Sequence, residues 1–225
     1  GRQPLIVNCG VPGPGATALR RLARTTAAHS TATLNDSSSC RFLTGGYLAE
    51  RLGEVIIAGP TRVPVTRQEE RGAVVVTASH DGYVARYGIL HTRRLSLSRF
   101  GDRLSGIDSF TSPSGSAIAK GGRDSFAIRF HLHPAVQANR LAGGHGVLLV
   151  LPDGSAWQFE TDAQELAIEE SIRLSDIRGS RRAEQIVIHG RALRQAEVKW
   201  QFRRVAEAGG RRSSDHDDAE DDQPA

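Results

Sequence analysis

The chain has 225 residues, which is enough for one large domain or two small ones, and a single all-β domain is the organisation that we favour. No apolar run approaches the roughly 18 residues that a membrane helix needs, so the sequence excludes a helical membrane span and predicts a soluble chain. The formal charge is +4 but only 5% of the residues are aromatic, and without a recognised nucleic-acid motif this composition argues against a nucleic-acid partner.

Short runs of alternating polar and apolar residues follow one another along the chain and predict β-strands. The segment Pro152-Asp153-Gly154-Ser155 separates two such runs and predicts a hairpin turn. A short helical turn is predicted at 17–24, and no apolar stripe of helical period extends over ten residues. The predicted strands are 3–9, 26–34, 38–44, 55–58, 61–67, 72–79, one long or two joined strands within 82–97, a further strand that contains Asp108, 126–132, 147–151, 156–159, 166–174, 185–189 and 198–204.

Many short strands with little helix predict an all-β fold, namely a multi-stranded antiparallel β-sandwich of the supersandwich type. We place this domain at 1–207. Residues 208–225 are rich in Asp and have no large apolar side chain, so we predict a disordered acidic tail there. The chain contains no methionine, so we expect either a processed terminus or a piece of a longer protein.

Arginine dominates the basic residues, because only Lys120 and Lys199 among the 29 are lysines. Arginine binds carboxylate, sulfate and phosphate groups through two parallel hydrogen bonds, so one interpretation is a polyanionic partner. The other interpretation is a GC-rich genome that encodes arginine in place of lysine. Both remain open at this point.

Four of the eight histidines lie between 79 and 133, in or beside predicted strands. His91 lies on the same, apolar face of its predicted strand as Ile89 and Leu95. Its ring should therefore be removed from water, and a hydrogen-bond partner should determine its pKa and which ring nitrogen carries the proton. Asp108, in the next predicted strand, is a candidate for that partner. The alternative is a core histidine that hydrogen-bonds to backbone.

Other histidines have less specific settings. His131 and His133 share one face of a predicted strand, where two rings can bind one metal ion or simply face solvent. Together with His91 and Asp108 they are the candidate metal ligands. His80 precedes a predicted turn at Asp81-Gly82 and could orient a loop, and Asp81 is expected to serve that turn. His29 lies in a stretch of small residues that would let a ligand approach.

Several segments together resemble the heparinase II/III family of polysaccharide lyases. The most specific part is Ser-His-Asp-Gly-Tyr at 79–83 followed by His-x-Arg-Arg at 91–94. The resemblance spans roughly 1–205 and corresponds to the family's C-terminal, sheet-rich part. The segments that carry it are Ala27–Asp36, Ser79–Leu97, Gly106–Asp108, Phe130–Pro134, 166–174 and 185–202.

The resemblance implies an enzyme that cleaves uronic-acid-containing anionic polysaccharides, such as glycosaminoglycans, by β-elimination in the periplasm or cell envelope. It also implies an upstream α/α-toroid domain, which supplies a catalytic tyrosine and which this chain lacks, so the isolated chain is expected to be incomplete as an enzyme.

The resemblance also implies roles for individual residues. His29 would be the catalytic acid or base with support from His91, and His80, Arg93 and Arg94 would bind substrate. Family members often hold a structural zinc, and in this chain Thr31 stands where one of the histidine ligands is expected.

Two functions from other classes stay open. A non-catalytic carbohydrate-binding or interaction sandwich needs exposed aromatic platforms, and both Trp157 and Trp200 lie on strand faces that look internal. A metal-dependent β-sandwich or cupin-like enzyme would use His91, His131 and His133 as ligands.

Overall fold

The computed structural model describes residues 3–52, 55–116, 118, 123–175 and 179–206. The predicted tail at 208–225 lies outside the described residues. The helices are Thr17–Ala23 (α1), Gly46–Leu52 (α2), Val84–Tyr87 (α3) and a 3-10 turn at Thr26–Ala28. The strands are Ile6–Val7 (β1), Ala32–Leu34 (β2), Arg41–Phe42 (β3), Ile56–Ala58 (β4), Val65–Glu70 (β5), Ala73–His80 (β6), Leu90–Leu97 (β7), Arg103–Thr111 (β8), Ser125–Leu132 (β9), Gln137–Arg140 (β10), Gly146–Val150 (β11), Ala156–Thr161 (β12), Glu165–Arg173 (β13), Arg181–Arg191 (β14) and Glu197–Ala206 (β15).

Two large antiparallel sheets form the domain. The eight-stranded sheet has the order β10-β11-β12-β15-β8-β7-β6-β5, and the five-stranded sheet has the order β1-β9-β14-β13 with β2 also paired to β9. A small separate sheet joins β3 to β4. The prediction of an all-β, multi-stranded antiparallel sandwich with little helix is therefore confirmed.

The core lies between the two large sheets and is joined by aromatic contacts. Phe110 of β8 stacks on Phe126 of β9 with ring centroids 4.7 Å apart, and Phe130 of β9 meets Trp200 of β15 edge-on at 4.6 Å. Because side chains alternate between the faces of a strand, every second residue of β8, β9 and β15 enters this core. The inward positions of the eight-stranded sheet also carry the candidate site.

The prediction of continuous strand across 82–97 is wrong at its beginning. Residues 84–87 form α3, whose last turn is closed by a hydrogen bond from the Tyr87 N–H to the Tyr83 carbonyl (2.9 Å). Tyr83 is fully buried and its hydroxyl donates to the Ala32 carbonyl (3.1 Å), so tertiary contacts fix this segment. Gly88 then takes a φ of 65° and ends the helix.

The predicted strand at 26–34 is also divided. It begins as the 3-10 turn and becomes strand only at Ala32, so His29 lies in the connection between the two. The hairpin at 147–159 and the helical turn at 17–24 are confirmed. Among the described residues, none of the helices is long and apolar enough to cross a membrane.

Gly106 is required where the eight-stranded sheet meets the indole of Trp200. The two residues are directly opposite across β8 and β15, and a Cβ at Gly106 would lie 2.1 Å from the Trp200 ring. We therefore expect Gly106→Val to lower the free energy of unfolding by about 1–3 kcal/mol in urea denaturation, because the indole must move out of a packed core.

The control for this substitution is Ser105→Val, which adds the same side chain to the neighbouring position on the opposite face of β8. It should change the unfolding free energy by only about 0.5 kcal/mol. Equal losses in the two variants would contradict the role assigned to Gly106.

Candidate functional site

Asp108 is the centre of the candidate site and is fully buried on the inner face of β8. His91 Nε2 lies 2.7 Å from Oδ1, and Arg93 Nε donates to the same oxygen at 2.8 Å. Oδ2 accepts from Arg93 Nη2 at 3.0 Å and from Trp200 Nε1 at 2.8 Å. The two strands on either side of β8, namely β7 and β15, thus direct four N–H groups at one carboxylate.

The charge state of Asp108 follows from this environment. Burial alone would raise the pKa of the carboxyl, but the Arg93 guanidinium and the hydrogen bond from His91 outweigh burial and hold that pKa well below its usual range. Asp108 is therefore an anion, and its charge is balanced by Arg93 at a side-chain exposure of 15%.

Hydrogen-bond partners place the protons on His91 and His80. A carboxylate only accepts, so His91 Nε2 carries the proton that faces Asp108. His80 Nδ1 lies 3.3 Å from the Gly82 N–H and accepts from it, which leaves the His80 proton on Nε2. That atom is 3.2 Å from His91 Nδ1, so the chain of donors runs from Gly82 through His80 and His91 to Asp108.

His80 is held neutral in this chain. Burial lowers its pKa first, and repulsion by His91 adds to that effect, so that the pKa falls from 6.5 to about 4 although Asp81 acts in the opposite direction. Asp81 itself accepts from the Thr61 hydroxyl (2.6 Å) and from the N–H groups of Thr61 and Arg62, which fixes the turn after β6. The prediction that Asp81 serves the turn is confirmed.

Arg93 connects this buried cluster to His29. Its Nη1 donates to the Ser30 carbonyl at 2.6 Å, across the space between the two large sheets. Ser30 is fixed from other directions as well, because its N–H donates to Asn8 Oδ1 (2.9 Å) and its hydroxyl to the Val7 carbonyl (2.6 Å). The residue that follows His29 is therefore held by a buried cation and by the β1 segment.

His29 itself remains half-buried. Within the described part of the chain, no hydrogen bond engages its ring, in contrast to His80 and His91. Its side chain lies close enough to His131 to contribute, by charge repulsion, to the lowered pKa of that ring. A free, partly exposed imidazole on a fixed loop has the properties that proton transfer to a bound ligand requires.

His131 forms a second cluster, on the other face of β9 from the inter-sheet core. Its Nε2 lies 2.9 Å from the Ala27 carbonyl, and its Nδ1 lies 2.7 Å from the Ser171 hydroxyl. Burial lowers the pKa of His131, so a neutral ring donates to Ala27 and accepts from Ser171. The Cys9 thiol lies 3.6 Å from Nδ1.

Two further predicted residues lie outside both clusters. His133 follows β9, where its Nδ1 accepts from the Ala135 N–H (3.3 Å). Arg94 points to the outer face of its sheet and pairs with Glu70 at 2.7 Å, with both side chains about two-fifths exposed. Of the residues named from the sequence, the structure therefore brings together His80, His91, Arg93 and Asp108, with His29 one residue away from the Arg93 contact.

The residues present do not fit the zinc ion that the family resemblance implies. In the ranges that the structure describes, no group of three or more His, Cys, Asp or Glu side chains is placed to hold a metal. Both ring nitrogens of His91 and both oxygens of Asp108 already have partners, and a metal at Asp108 would have to displace Arg93. The guanidinium supplies the positive charge that a metal would supply.

Sequence reasoning missed two members of the site. Trp200 was recognised as internal, but nothing in its pattern showed that its indole N–H would reach Asp108. Ser30 contributes a backbone carbonyl, which no side-chain motif reveals. The one available signal was Gly106, since a glycine in the middle of a strand often marks a close approach by a large neighbour.

The neutral His80 makes stability depend on pH. Its pKa is about 4 in the folded protein and 6.5 in the unfolded chain. Between these two values His80 binds a proton in the unfolded chain but stays neutral in the folded protein, so lower pH favours unfolding. The stability that His80 contributes in this way is complete above pH 6.5 and is lost as the pH falls towards 4.

We expect the midpoint of urea denaturation to decrease less between pH 6.5 and pH 4 in His80→Gln than in the unchanged protein. His145→Gln, at an exposed histidine, is the control and should behave like the unchanged protein. Parallel pH profiles for all three proteins would contradict the assignment.

Comparison with known proteins assigns this chain to a protein family. The family model described as "Heparinase II/III-like, C-terminal" matches residues 1–201. Among curated proteins, the FtsZ-localized protein C of Caulobacter vibrioides is 32% identical over 206 residues, which are 89% of this chain and 35% of that protein. The chain thus spans about a third of the length of this relative.

Solved structures support the same fold. Heparan sulfate lyase HepC from Pedobacter heparinus superposes with a TM-score of 0.65 at 14% identity, over 92% of this chain and 29% of that protein. A heparinase III structure superposes with a TM-score of 0.61 at 12% identity, over 92% of this chain and 28% of the other. At these identities the likeness concerns the fold alone. Since the family model covers nearly all of the domain, the chain belongs to the heparinase II/III-like, C-terminal family and is a domain related to polysaccharide lyases.

Proposed function

We propose that this chain is the C-terminal sheet domain of a lyase that cleaves an anionic, uronic-acid-containing polysaccharide by β-elimination. In this proposal it acts together with an upstream helical toroid domain, in the periplasm or cell envelope. Family membership supports the class of activity. The observation that carries the proposal is the setting of His29. Its ring is partly exposed and has no hydrogen-bond partner among the residues that the structure describes, while the adjacent Ser30 carbonyl is held by Arg93.

In this proposal one histidine of the chain transfers a proton, and the other histidines of the site hold it in position. β-Elimination removes the proton from the carbon beside the uronate carboxyl group and protonates the leaving oxygen. His29 is the residue that takes or returns such a proton. His91 and His80 have both ring nitrogens engaged, so we assign them to positioning rather than to proton transfer.

The arginines divide in the same way. Arg93 balances the buried charge of Asp108 and holds Ser30, so in this proposal it positions the His29 loop and does not contact substrate. Arg94 is exposed on the outer face of the sheet, where it could only meet a polysaccharide away from His29. Neutralisation of the uronate carboxyl group is assigned to the upstream domain.

A second candidate is a non-catalytic interaction domain. It is favoured by the 32% identity to a relative whose name describes it as localised with FtsZ, which is higher than the identity to the solved lyases. In that case the buried cluster would serve stability alone, and localisation with FtsZ would replace turnover.

The experiment compares His29→Ala with the unchanged protein, both as the complete polypeptide, on a heparan sulfate substrate and on a panel of other uronate polysaccharides. Formation of the unsaturated product is followed by ultraviolet absorbance. We expect turnover to fall about 100-fold or more, since general acid–base catalysis contributes at least that much, while polysaccharide binding is retained.

His145→Ala, at an exposed histidine between β10 and β11, is the matched control and should keep full turnover. Unchanged turnover in His29→Ala would contradict the assignment of His29. An unchanged protein that binds one of the polysaccharides but cleaves none of them would favour the non-catalytic candidate.

A further inference from the structure

A polar cavity lies at the end of the five-stranded sheet that is remote from His29. It has a volume of about 700 Å³ and is lined by the start of β9, the end of β14 and the loops that follow β12 and β14. We name it the end cavity, with Ser125, Phe126, Gln164, Arg191 and Arg194 among its lining residues. We propose that the end cavity binds an uncharged sugar ring of a polysaccharide chain, as a site separate from His29. This inference rests on the polysaccharide class of the proposed function.

The end cavity is separate from the His29 site because β9 spans the distance between them. Ser125 and Phe126 begin the strand at the end cavity, whereas His131, whose N–H donates to the Ser30 hydroxyl, is near the end of the same strand. Six residues of extended strand correspond to about 20 Å. One polysaccharide chain several sugar units long could therefore reach both sites.

The wall of the end cavity is fixed by a buried carboxylate. Asp124 is 1% exposed and accepts from Arg191 Nε at 3.0 Å and from the Leu193 N–H at 3.0 Å. The N–H groups of Arg194 and Gln195 both donate to the Arg191 carbonyl (2.9 Å), which closes the turn. The side chains on this turn therefore project from a defined backbone rather than from a loose loop.

The floor of the end cavity depends on a glycine within a strand. Gly190 pairs with Phe126 across β14 and β9, and a Cβ at Gly190 would lie 2.4 Å from the Phe126 ring. Because no side chain stands at this position, the Phe126 ring lies directly against β14 beside the cavity.

Charge decides which ligand the end cavity suits. The lining contains two arginines, Arg191 and Arg194, and two carboxylates, Asp162 and Glu165, so these four charges balance. The buried Asp124 that pairs with Arg191 adds a further negative charge, and the lining residue His189 pairs with Glu169. Such a lining offers a polyanion no net electrostatic attraction. The amides of Gln164 and Gln195 supply both donors and acceptors, the combination that pairs with sugar hydroxyl groups.

Two side chains are available for such contacts. Arg194 and Gln164 are exposed, and within the described residues neither side chain has a hydrogen-bond partner. Asp162, in contrast, already accepts from Gln195 Nε2 (3.0 Å) and from the Lys199 N–H (2.9 Å). Arg194 and Gln164 are therefore the residues to change, since their loss should leave the fold intact.

The test titrates the 225-residue chain by calorimetry with three uncharged hexasaccharides, built of N-acetylglucosamine, β-1,4-linked glucose and α-1,4-linked glucose, and with a heparan sulfate hexasaccharide. We expect at least one uncharged probe to bind, and its affinity to fall about fivefold or more in both Arg194→Ala and Gln164→Ala. Arg182→Ala, which removes an exposed arginine paired with Glu170, is the control and should bind as the unchanged protein does. Circular dichroism confirms that each variant is folded.

The salt dependence of the affinity distinguishes binding in the end cavity from nonspecific electrostatic binding of an anionic ligand. Binding at a lining without net charge should change by less than about twofold between about 50 and about 300 mM NaCl. The proposal is overturned if none of the uncharged probes binds, if both cavity variants bind like the unchanged protein, or if only heparan sulfate binds and the binding is lost with salt. His29→Ala should leave this affinity unchanged, so failure here and failure of the proposed lyase activity are distinguishable.

Discussion

The buried charge of Asp108 is the constraint on which the rest of this domain depends. Transfer of a carboxylate and a guanidinium out of water is unfavourable unless their hydrogen bonds are all made. Here the carboxylate receives four N–H groups, from His91, Arg93 and Trp200. Loss of one partner from such a pair typically costs about 3–5 kcal/mol, so each of these side chains has little freedom to change.

The same interaction joins the two sheets. Arg93 belongs to the eight-stranded sheet, but its Nη1 donates to the Ser30 carbonyl at the edge of the five-stranded sheet. Its guanidinium also lies 5.6 Å from the ring centres of both Phe130 and Trp200, so it contributes to the aromatic core as well as to charge balance. The position of the His29 loop therefore follows from the packing of the core.

The sequence predicted the framework and part of the site. The alternation of polar and apolar residues with a period of two was sufficient to predict the sandwich and the inward direction of His91. In a half-buried strand, the residues that face the core and those that face solvent alternate in the sequence itself. The same signal failed at 84–87, where the alternation continues across a helix that Tyr83 anchors by tertiary contacts.

The polar partners were harder to predict. The pairing of His91 with Asp108 could be proposed because both lie on neighbouring predicted strands, but strand register decides which side chains meet, and register is not visible in one sequence. Arg93 stands directly opposite Asp108 in the structure, and His80 directly opposite His91. Contacts through a backbone carbonyl, such as that of Ser30, leave no trace in residue types.

The geometry of the Asp108 site is set by side chains that are themselves part of the core, and Arg93 supplies the positive charge beside the carboxylate. The end cavity shows the same principle at a second place, since Asp124 is buried and fixes the turn that carries Arg194. In both cases a buried carboxylate orders the surface residues beside it.

The most direct test of this account is amide hydrogen exchange at Ser30 and Thr31 in Arg93→Gln and in Arg94→Gln, two adjacent arginines of which only the first contacts Asp108. Exchange is compared with that of the β11–β12 hairpin, which corrects for any change in global stability. We predict that Arg93→Gln accelerates exchange at Ser30 and Thr31 about tenfold or more relative to the hairpin, whereas Arg94→Gln leaves it unchanged. Equal protection of these amides in both variants would contradict the claim that the buried Asp108–Arg93 pair holds the His29 loop.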